Sequence, residues 1–332
     1  MAWRLAILTP VLDDWPSLSE LISEINAGYS ADDAEFELIA VDDGSSTSWT
    51  AETGPSLPLN SCIKSVSVIQ LALNLGHQRA IAVGLASLSE RTDLDGVVVM
   101  DSDGEDRPSD LAILMAMSRT HPAHVIMARR AERSETTVFK IGYQIYKTLF
   151  RLLSGHGISF GNFCLLPMPA VHRLAHMPEL WNNLPATIIR SRLRHCTVQT
   201  KRGKRYTGQS KMNLPALVVH GLSAMSVYTD IIFVRVLLAA FGLCAVSIVS
   251  IISVVMIRLT TTWAIPGWAT TVVGDLLIIL IQALILLVAI TLMLLANRSA
   301  RQLVPITDTT AFIAERQLVA SRQPAREAPV NV

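Results

Sequence analysis

Charge and aromatic side chains are scarce in this sequence. Of its 332 residues, 17% are charged and 6% are aromatic, whereas 51% are hydrophobic and the formal net charge is only +1. Disordered chains combine low hydrophobicity with high net charge, so this composition excludes extensive disorder. A nucleic-acid-binding protein with a uniformly basic surface is excluded as well, and we expect no nucleic-acid partner.

Paired cysteines and two common nucleotide-binding loops are also missing. The four cysteines form no Cys-x-x-Cys pair, which argues against a zinc or disulfide scaffold and fits a reducing, cytoplasmic compartment. The sequence contains neither a GxxxxGK loop followed by Ser or Thr nor the GxGxxG pattern of dinucleotide-binding folds. A bound nucleotide would therefore be held by other means.

Two long apolar runs dominate the C-terminal third of the chain. Residues 236–257 carry no charge, and Gln282 is the only strongly polar member of residues 276–296. Because about 20 apolar residues form a helix that crosses a bilayer, we predict a transmembrane helix over each run. The alternative is a pair of buried helices in a large soluble domain, but such helices rarely run this long without a charge.

The charges around these runs predict their orientation. The linker 258–275 holds one arginine and one aspartate, whereas Lys211, Arg235, Arg298 and Arg301 lie beyond the outer ends of the two runs. The positive-inside rule then places the linker outside and both termini in the cytoplasm, as in a multi-pass protein of the inner membrane. We expect a catalytic domain over residues 1–211, a juxtamembrane segment over 212–235 and a mostly disordered cytoplasmic tail over 297–332.

The first 130 residues alternate between strand-like and helix-like segments, which is typical of an α/β fold with a mainly parallel sheet flanked by helices. We predict strands at residues 5–11, 36–41, 66–71, 96–100 and 124–128. Helices are predicted at residues 17–27, 78–89 and 109–119. Polar clusters follow each predicted strand, and open α/β sheets bind ligands at the carboxyl ends of their strands.

The cluster Asp101-Ser102-Asp103 is the most specific of these. Two carboxylates separated by one residue can share a hard cation, and Mg²⁺ or Mn²⁺ completes its coordination with phosphate oxygens. The alternative is a solvated acidic turn. Asp42 and Asp43, which precede Gly44, could bind a base or ribose, or could simply form a strand-to-loop turn with the glycine at positive φ.

Taken together, four motifs resemble those of the family 2 inverting glycosyltransferases of the GT-A fold. They are Thr9-Pro10-Val11, Val41-Asp42-Asp43-Gly44-Ser45-Ser46, Leu73-Asn74-Leu75-Gly76-His77-Gln78 and Asp101-Ser102-Asp103 followed by Pro108. Gly208-Gln209-Ser210-Lys211 and the pair Arg130 and Arg133 are similar to motifs of the polyprenyl-phosphate subgroup, which includes dolichyl-phosphate mannose synthases and bactoprenol glucosyltransferases. The resemblance covers about residues 5–300.

The resemblance implies roles for individual residues. Catalytic roles would fall to Asp103, Arg130 and Lys211, and the metal would be held by Asp101, Asp103 and Glu105. The remaining residues implied to bind the donor or the acceptor phosphate are Pro10, Asp13, Asp42, Asp43, Asn74, Gly76, Gln78, Ser102, Arg133, Arg205 and Ser210.

Three departures from the family pattern concern the site. Asp13-Asp14 stands where the family usually has Asn-Glu, and Glu105 stands where it usually has Gln. The segment Gly161-Asn162-Phe163-Cys164 replaces a Gly-Asp-Phe-Arg segment, so a carboxylate and a guanidinium are both missing. We expect altered metal affinity from the second departure and altered sugar or acceptor recognition from the third.

Two features indicate a membrane-lipid acceptor. Eight basic residues and no acid lie between positions 190 and 211, and such clusters attract anionic headgroups; the alternative is a solvated strand pair. Residues 137–154 have one polar stripe and an apolar remainder, as in an interfacial amphipathic helix or a surface helix packed on a sheet.

The resemblance therefore implies transfer of a hexose, with UDP-glucose the favoured donor, to polyprenyl phosphate, with Mg²⁺ or Mn²⁺ as cofactor. Expected partners are the nucleotide sugar, the lipid acceptor, membrane lipids and, by analogy with relatives, further copies of the chain. A polysaccharide synthase and a catalytically inactive membrane scaffold remain as alternatives. The first usually carries a QxxRW motif, and no Arg-Trp pair occurs in this chain.

Overall fold

The computed structural model describes residues 3–49, 57–58, 61–130, 137–157, 160–207, 214–261 and 267–322. The chain divides into two compact units. The first comprises Met1–Tyr146, Gly157–Val227 and Leu303–Val332, and the second comprises Lys147–His156 and Tyr228–Gln302.

The element order confirms the predicted alternation of strands and helices. The strands are β1 (Trp3–Val11), β2 (Ala34–Asp42), β3 (Ile63–Leu71), β4 (Gly96–Val99), β5 (Val125–Arg130), β6 (Cys164–Pro167), β7 (His195–Thr200) and β8 (Ile313–Ser321). The α-helices are α1 (Trp15–Gly28), α2 (His77–Leu88), α3 (Leu111–Thr120), α4 (Thr137–Ser154), α5 (Met168–Ala175), α6 (Leu184–Arg190), α7 (Leu214–Ser226), α8 (Thr229–Thr260), α9 (Trp268–Ser299) and α10 (Pro305–Asp308).

One eight-stranded sheet organises the first unit, in the order β7-β5-β6-β4-β1-β2-β3-β8. All neighbouring pairs are parallel except those that involve β6 or β8, which run antiparallel to their neighbours. The mainly parallel sheet is therefore confirmed. Its parallel strands end at one edge, where the polar clusters of the sequence lie.

The sheet is buried on both faces because its strands alternate apolar side chains between two cores. Leu5 and Ile7 of β1 belong to the core that includes side chains of α1 and α3. Ala6 and Leu8 belong to the core that includes side chains of α2 and α5. Burial on both faces explains why the strands read as nearly continuous apolar runs.

The prediction of a mostly disordered tail after residue 297 is wrong. Residues 313–321 form β8, which pairs antiparallel with β3 at the edge of the sheet. The strand buries little apolar surface, since Val319 is its only fully buried member. Its order comes largely from main-chain hydrogen bonds to β3, and such bonds leave no hydrophobic pattern in a sequence.

The second unit contains the two predicted apolar helices. Helices α8 and α9 pack along each other, and each is long and apolar enough to cross a membrane. Small buried side chains at Ala240, Cys244 and Ser247 of α8 and at Ala283 of α9 mark the buried faces of the pair. Both helices extend beyond the predicted spans at residues 236–257 and 276–296.

Candidate active site

The loops that follow β1 and β2 are joined by the carboxylates of the first two acidic motifs. Asp13 accepts hydrogen bonds from the Ser46 amide and hydroxyl, both at 2.7 Å, and its own amide donates to Ser45 Oγ at 2.9 Å. Asp42 is buried and accepts from the Ser45 amide at 2.8 Å. These predicted donor-binding residues therefore also shape the loops that carry them.

Asp43 connects the end of β2 to the start of α2. Its buried carboxylate accepts from the Leu75 amide at 2.7 Å and from the Gly76 amide at 3.0 Å. Burial raises the pKa of Asp43, although these two amides oppose the shift. Gly44 and Gly76 have φ values of +80° and +92°, which favour glycine. The positive φ expected at Gly44 is confirmed.

A hydrogen-bond chain runs from the main chain of α6 to the acidic motif. The Leu184 amide donates to Gln78 Oε1, Gln78 Nε2 donates to Asn162 Oδ1, and Asn162 Nδ2 lies 2.9 Å from His77 Nε2. A main-chain amide can only donate, so it sets the direction of the chain and makes His77 Nε2 an acceptor. The imidazole is then neutral, in agreement with the lowering of its pKa by burial. His77 Nε2 lies 3.4 Å from Asp101 Oδ1.

The acidic loop after β4 is built around Asp106, a residue that the sequence analysis did not single out. Its buried carboxylate accepts from the Asp101 amide at 3.1 Å and from Arg130 at 3.0 Å. Burial raises the pKa values of Asp101 and Asp106 to about 7, and the charge of neighbouring acids adds to the shift. The sequence did offer a sign of this role, because Asp106 is the last acid of the run that begins at Asp101. The Asp-x-Asp spacing of Asp101 and Asp103 drew the prediction to those two residues instead.

Three arginines converge on this loop. Arg130, at the end of β5, and Arg202 and Arg205, which follow β7, all contact the Glu105 carboxylate. Arg205 also pairs with Asp103 at 2.5 Å. Sequence reasoning did not connect Arg202 with this loop, because 97 residues separate it from Glu105.

The acidic loop carries carboxylate oxygens of the kind that could hold a divalent cation. Asp101 Oδ1 is buried and makes no hydrogen bond in the described structure, and hard cations prefer such carboxylate oxygens. The neighbouring oxygens of Asp103 and Glu105 contact arginines instead, and no preformed group of three metal-ligating side chains occurs among the described residues. Asp101 and Asp103 would hold the cation after Asp103 exchanges its arginine partner.

The other predicted site residues divide into two groups. The first group lies at the carboxyl ends of strands, where the loops described above begin. Pro10 is at the end of β1, Asn74 follows β3, and Ser102 follows β4. Arg133, Ser210 and Lys211 lie outside the described residues. The predicted convergence of strand-end clusters is thus observed for the part of the site that the structure describes.

A small pocket adjoins Asp42. It is lined by Asp42, Ser48, Trp49, Val68, Gln70, Glu315 and Gln317. Trp49 stacks on Trp15 with ring centroids 5.5 Å apart. Because Glu315 and Gln317 belong to β8, the strand that the sequence analysis missed contributes directly to the surroundings of Asp42.

Comparisons with known proteins agree with this geometry. Residues 6–169 match the family model described as Glycosyl transferase family 2. The uncharacterized glycosyltransferase YkcC of Bacillus subtilis (strain 168) is 24% identical over 287 residues, which cover 85% of each chain. The uncharacterized glycosyltransferase sll0501 of Synechocystis is 22% identical over 215 residues, covering 64% of this chain and 65% of the relative.

Among solved structures, the chain is similar to glucosyl-3-phosphoglycerate synthase from Mycobacterium tuberculosis in complex with Mn²⁺, UDP-glucose and phosphoglyceric acid. The TM-score is 0.49 and the identity 14%, with 69% of this chain and 80% of that chain covered. The parallel sheet, the acidic loop and the family match lead to one conclusion. Residues 6–169 of this chain match glycosyl transferase family 2, and the chain has the GT-A fold.

Proposed function

We propose that this protein transfers a hexose from a nucleotide sugar, with UDP-glucose favoured, to polyprenyl phosphate at the cytoplasmic face of the inner membrane. The observation that carries the proposal is the position of the two apolar helices within the chain. In the chain they lie between elements of the first unit, because β8 follows α9 and pairs with β3 of the sheet in that unit. A glycosyltransferase unit connected in this way to two candidate spans is suited to an acceptor that is itself a membrane lipid.

The pairing of β8 with the sheet after the two apolar helices also supports the proposed membrane topology. The segments before α8 and after α9 belong to one folded unit, so they must lie on the same side of any membrane that the two helices cross. The positive charges at Arg235, Arg298 and Arg301 favour the cytoplasmic side. The linker between the helices would then face the outside.

Helix α4 supports contact with the lipid surface. It covers the predicted residues Thr137–Ser154, and Leu149 and Leu152 near its end are 45% and 70% exposed. The Leu152 carbonyl accepts a hydrogen bond from Arg235, which directly precedes the apolar run 236–257. The end of α4 therefore lies at the level where the proposed span begins, as an interfacial helix would.

Fewer basic residues of the segment 190–211 are available to bind lipid headgroups than its composition suggests. Arg190 pairs with Glu179, and Arg202 and Arg205 pair with the acidic loop. These three arginines are engaged within the protein. Four of the remaining members are the ones we propose to attract lipid headgroups: Arg192, Arg194, Lys201 and Lys204. Lys211 is proposed to lie near the donor or acceptor phosphate instead.

The chemistry requires charge compensation and positioning more than a general base. A lipid phosphate is largely dianionic at pH 7 and can attack the anomeric carbon directly. Arg130, together with Arg133 and Lys211, would hold phosphate oxygens of the donor or the acceptor. A cation held by Asp101 and Asp103 would stabilise the negative charge of the departing nucleoside diphosphate.

The test is a transfer assay on the purified full chain in detergent. Undecaprenyl phosphate is offered with Mn²⁺ or Mg²⁺ and a panel of labelled nucleotide sugars, and label in the lipid phase is scored. We expect transfer from one donor, loss of transfer in EDTA and at least 100-fold loss in Asp103→Asn. Asp93→Asn, which removes a carboxylate that is paired with Arg91 outside the acidic loop, is the matched control and should retain activity.

The other outcomes select among the alternatives. A long glycan product would indicate a polysaccharide synthase. A folded chain that transfers no sugar, beside a working control enzyme, would indicate a membrane scaffold. Equal activity in Asp103→Asn and the wild type would contradict the assigned role of the acidic loop.

A further inference from the structure

The Glu105 carboxylate has an unusual set of neighbours. It is 12% exposed and receives hydrogen bonds from Arg130 at 3.2 Å, from Arg202 at 2.7 and 3.2 Å, and from Arg205 at 3.1 Å. Burial alone would raise the pKa of Glu105, but the hydrogen bonds from Arg202 and Arg205 and the charges of Arg202 and Arg130 together lower it. Three guanidinium groups converging on one anion form the arrangement that proteins use to bind phosphate groups.

The main chain holds this arrangement in place. The Gly203 amide donates to the Glu105 carbonyl at 2.9 Å, and the Tyr206 amide donates to the Asp103 carbonyl at 3.0 Å. Gly203 approaches so closely that a Cβ there would lie 2.0 Å from the Gly104 carbonyl oxygen. These contacts hold residues 202–206 against the acidic loop, where Arg202 and Arg205 contact Glu105.

The same segment is also tied to helix α1. Tyr206 donates to Glu24 at 2.8 Å, and Thr207 contacts Asp14 at 3.0 Å and Ser17 at 2.8 Å. The main chain of this segment is therefore held on two sides, which keeps Arg202 and Arg205 next to Glu105. An incoming anion must therefore reach them where they are, and it must displace Glu105 to do so.

We propose that Glu105 is an internal substitute for the donor diphosphate, and that it sets donor affinity by competing for Arg130, Arg202 and Arg205 instead of holding the metal. The inference rests on the proposed function, since it takes the ligand to be a nucleoside diphosphate. A carboxylate and a phosphate oxygen cannot accept the same N–H groups at the same time. Donor binding must therefore move Glu105 away from the three arginines.

The charges around Glu105 favour this exchange. Without a ligand, the carboxyl groups of Asp103, Glu105 and Asp106 are the partners of the three arginines. If a cation were held by the oxygens of Asp101 and Asp103, Arg205 would lose one of its two carboxylate partners and could bind a diphosphate oxygen instead. Replacing Glu105 with the neutral glutamine should release the guanidinium groups even without a cation.

The experiment measures binding of uridine diphosphate and guanosine diphosphate to the full chain in detergent by calorimetry, in EDTA and with Mn²⁺. In EDTA, we expect Glu105→Gln to bind the preferred diphosphate 3- to 10-fold more tightly than the wild type. Mn²⁺ affinity, measured by titration of the free ion, should change less than twofold. Arg202→Ala in the Glu105→Gln background should reverse the gain.

The matched control is Glu179→Gln. It removes one carboxylate that is paired with an arginine, Arg190, elsewhere in the same unit, so the change in net charge is identical. Its diphosphate affinity in EDTA should equal that of the wild type. If Glu105→Gln proves poorly folded by thermal unfolding, Glu105→Asp, which keeps the charge but shortens the side chain, should give a smaller gain.

Two results would overturn the inference while leaving the proposed function intact. One is a Glu105→Gln protein that binds diphosphate in EDTA no better than the wild type. The other is a tenfold weaker affinity for Mn²⁺ in this variant, which would make Glu105 a metal ligand. A wild-type chain that binds neither diphosphate even with Mn²⁺ would overturn both the inference and the proposed function.

Discussion

At the scale of single residues, the site depends on carboxylates that hold its loops as well as on those that meet a ligand. Asp43 fixes the loop before α2 through two amides, and Asp106 fixes the acidic loop through one amide and Arg130. Both side chains are buried. Losing either carboxylate would therefore leave buried donors without acceptors.

Asp106→Ala should lower the stability of the first unit by about 2–4 kcal/mol, because it leaves the Asp101 amide and the Arg130 guanidinium without their acceptor. Asp106→Asn should cost less, since its amide oxygen can still accept from the Asp101 amide. Thermal unfolding of the full chain in detergent measures the effect. Asp93→Ala, which breaks a partly exposed pair, should change stability by less than about 1 kcal/mol, and an equal loss in the two alanine variants would refute the prediction.

Gly44→Ala should destabilise the chain by about 1–3 kcal/mol, because an alanine there is strained at positive φ. Its Cβ would also lie 2.9 Å from the Asn74 amide nitrogen. Donor affinity should fall as well, since the displaced loops carry Asp43 and Gly76. Gly28→Ala is the control, because a Cβ at Gly28 meets nothing within 4 Å. Equal melting temperatures for the two variants would contradict this account.

At the scale of secondary-structure elements, two features contribute to stability: the pairing of β8 with the sheet and the packing of α8 against α9. Strand β8 covers the edge of β3 that would otherwise present unpaired main-chain groups. Arg322, directly after β8, donates to Glu35 and to the Ser61 carbonyl. The C-terminal segment thus stabilises the sheet as a structural element.

Truncation after Gln302 should expose the edge of β3 and reduce stability. We expect a lower melting temperature and aggregation in size-exclusion chromatography, because uncovered strand edges pair between molecules. A chain truncated after Arg322 keeps β8 and its ion pair and serves as the control. A monodisperse, equally stable Gln302 truncation would show that β8 is dispensable.

Ala240→Leu should loosen the α8–α9 pair, because Ala240 is 4% exposed and lacks space for three more carbons. The neighbouring Ala239 is exposed, so Ala239→Leu makes the same change on a free surface of the helix. Thermal unfolding in detergent should separate the two variants by several degrees. Indistinguishable melting curves would contradict the assignment of the Ala240 face to helix packing.

At the scale of the whole molecule, the connection between sheet and helices predicts the membrane topology. A cysteine introduced at Thr261, at the end of α8, should react with a membrane-impermeant maleimide in intact spheroplasts. A cysteine at Ala300, after α9, should react only after permeabilisation. The wild type provides the baseline, which includes any labelling of the half-buried Cys196, whereas Cys62, Cys164 and Cys244 are buried. Labelling of Ala300→Cys in intact spheroplasts would contradict the proposed orientation.

The sequence by itself determined the features that depend on local pattern. Apolar runs predicted the five strands from β1 to β5 and both long helices, because burial on two faces or in a bilayer leaves a continuous signal. Polar residues after those strands predicted where the site lies. The Asp-x-Asp motif predicted its acidic loop, since the carboxyl ends of parallel strands meet at one edge.

Only the tertiary structure decided which distant residues complete these features. Strand β8 depends on hydrogen bonds to β3, more than 240 residues earlier in the chain, and main-chain pairing leaves no hydrophobic pattern. The contact of Arg202 with Glu105 spans 97 residues. Charged side chains pair with groups that are close in space. When the two residues are far apart in the sequence, that distance is known only from the folded chain.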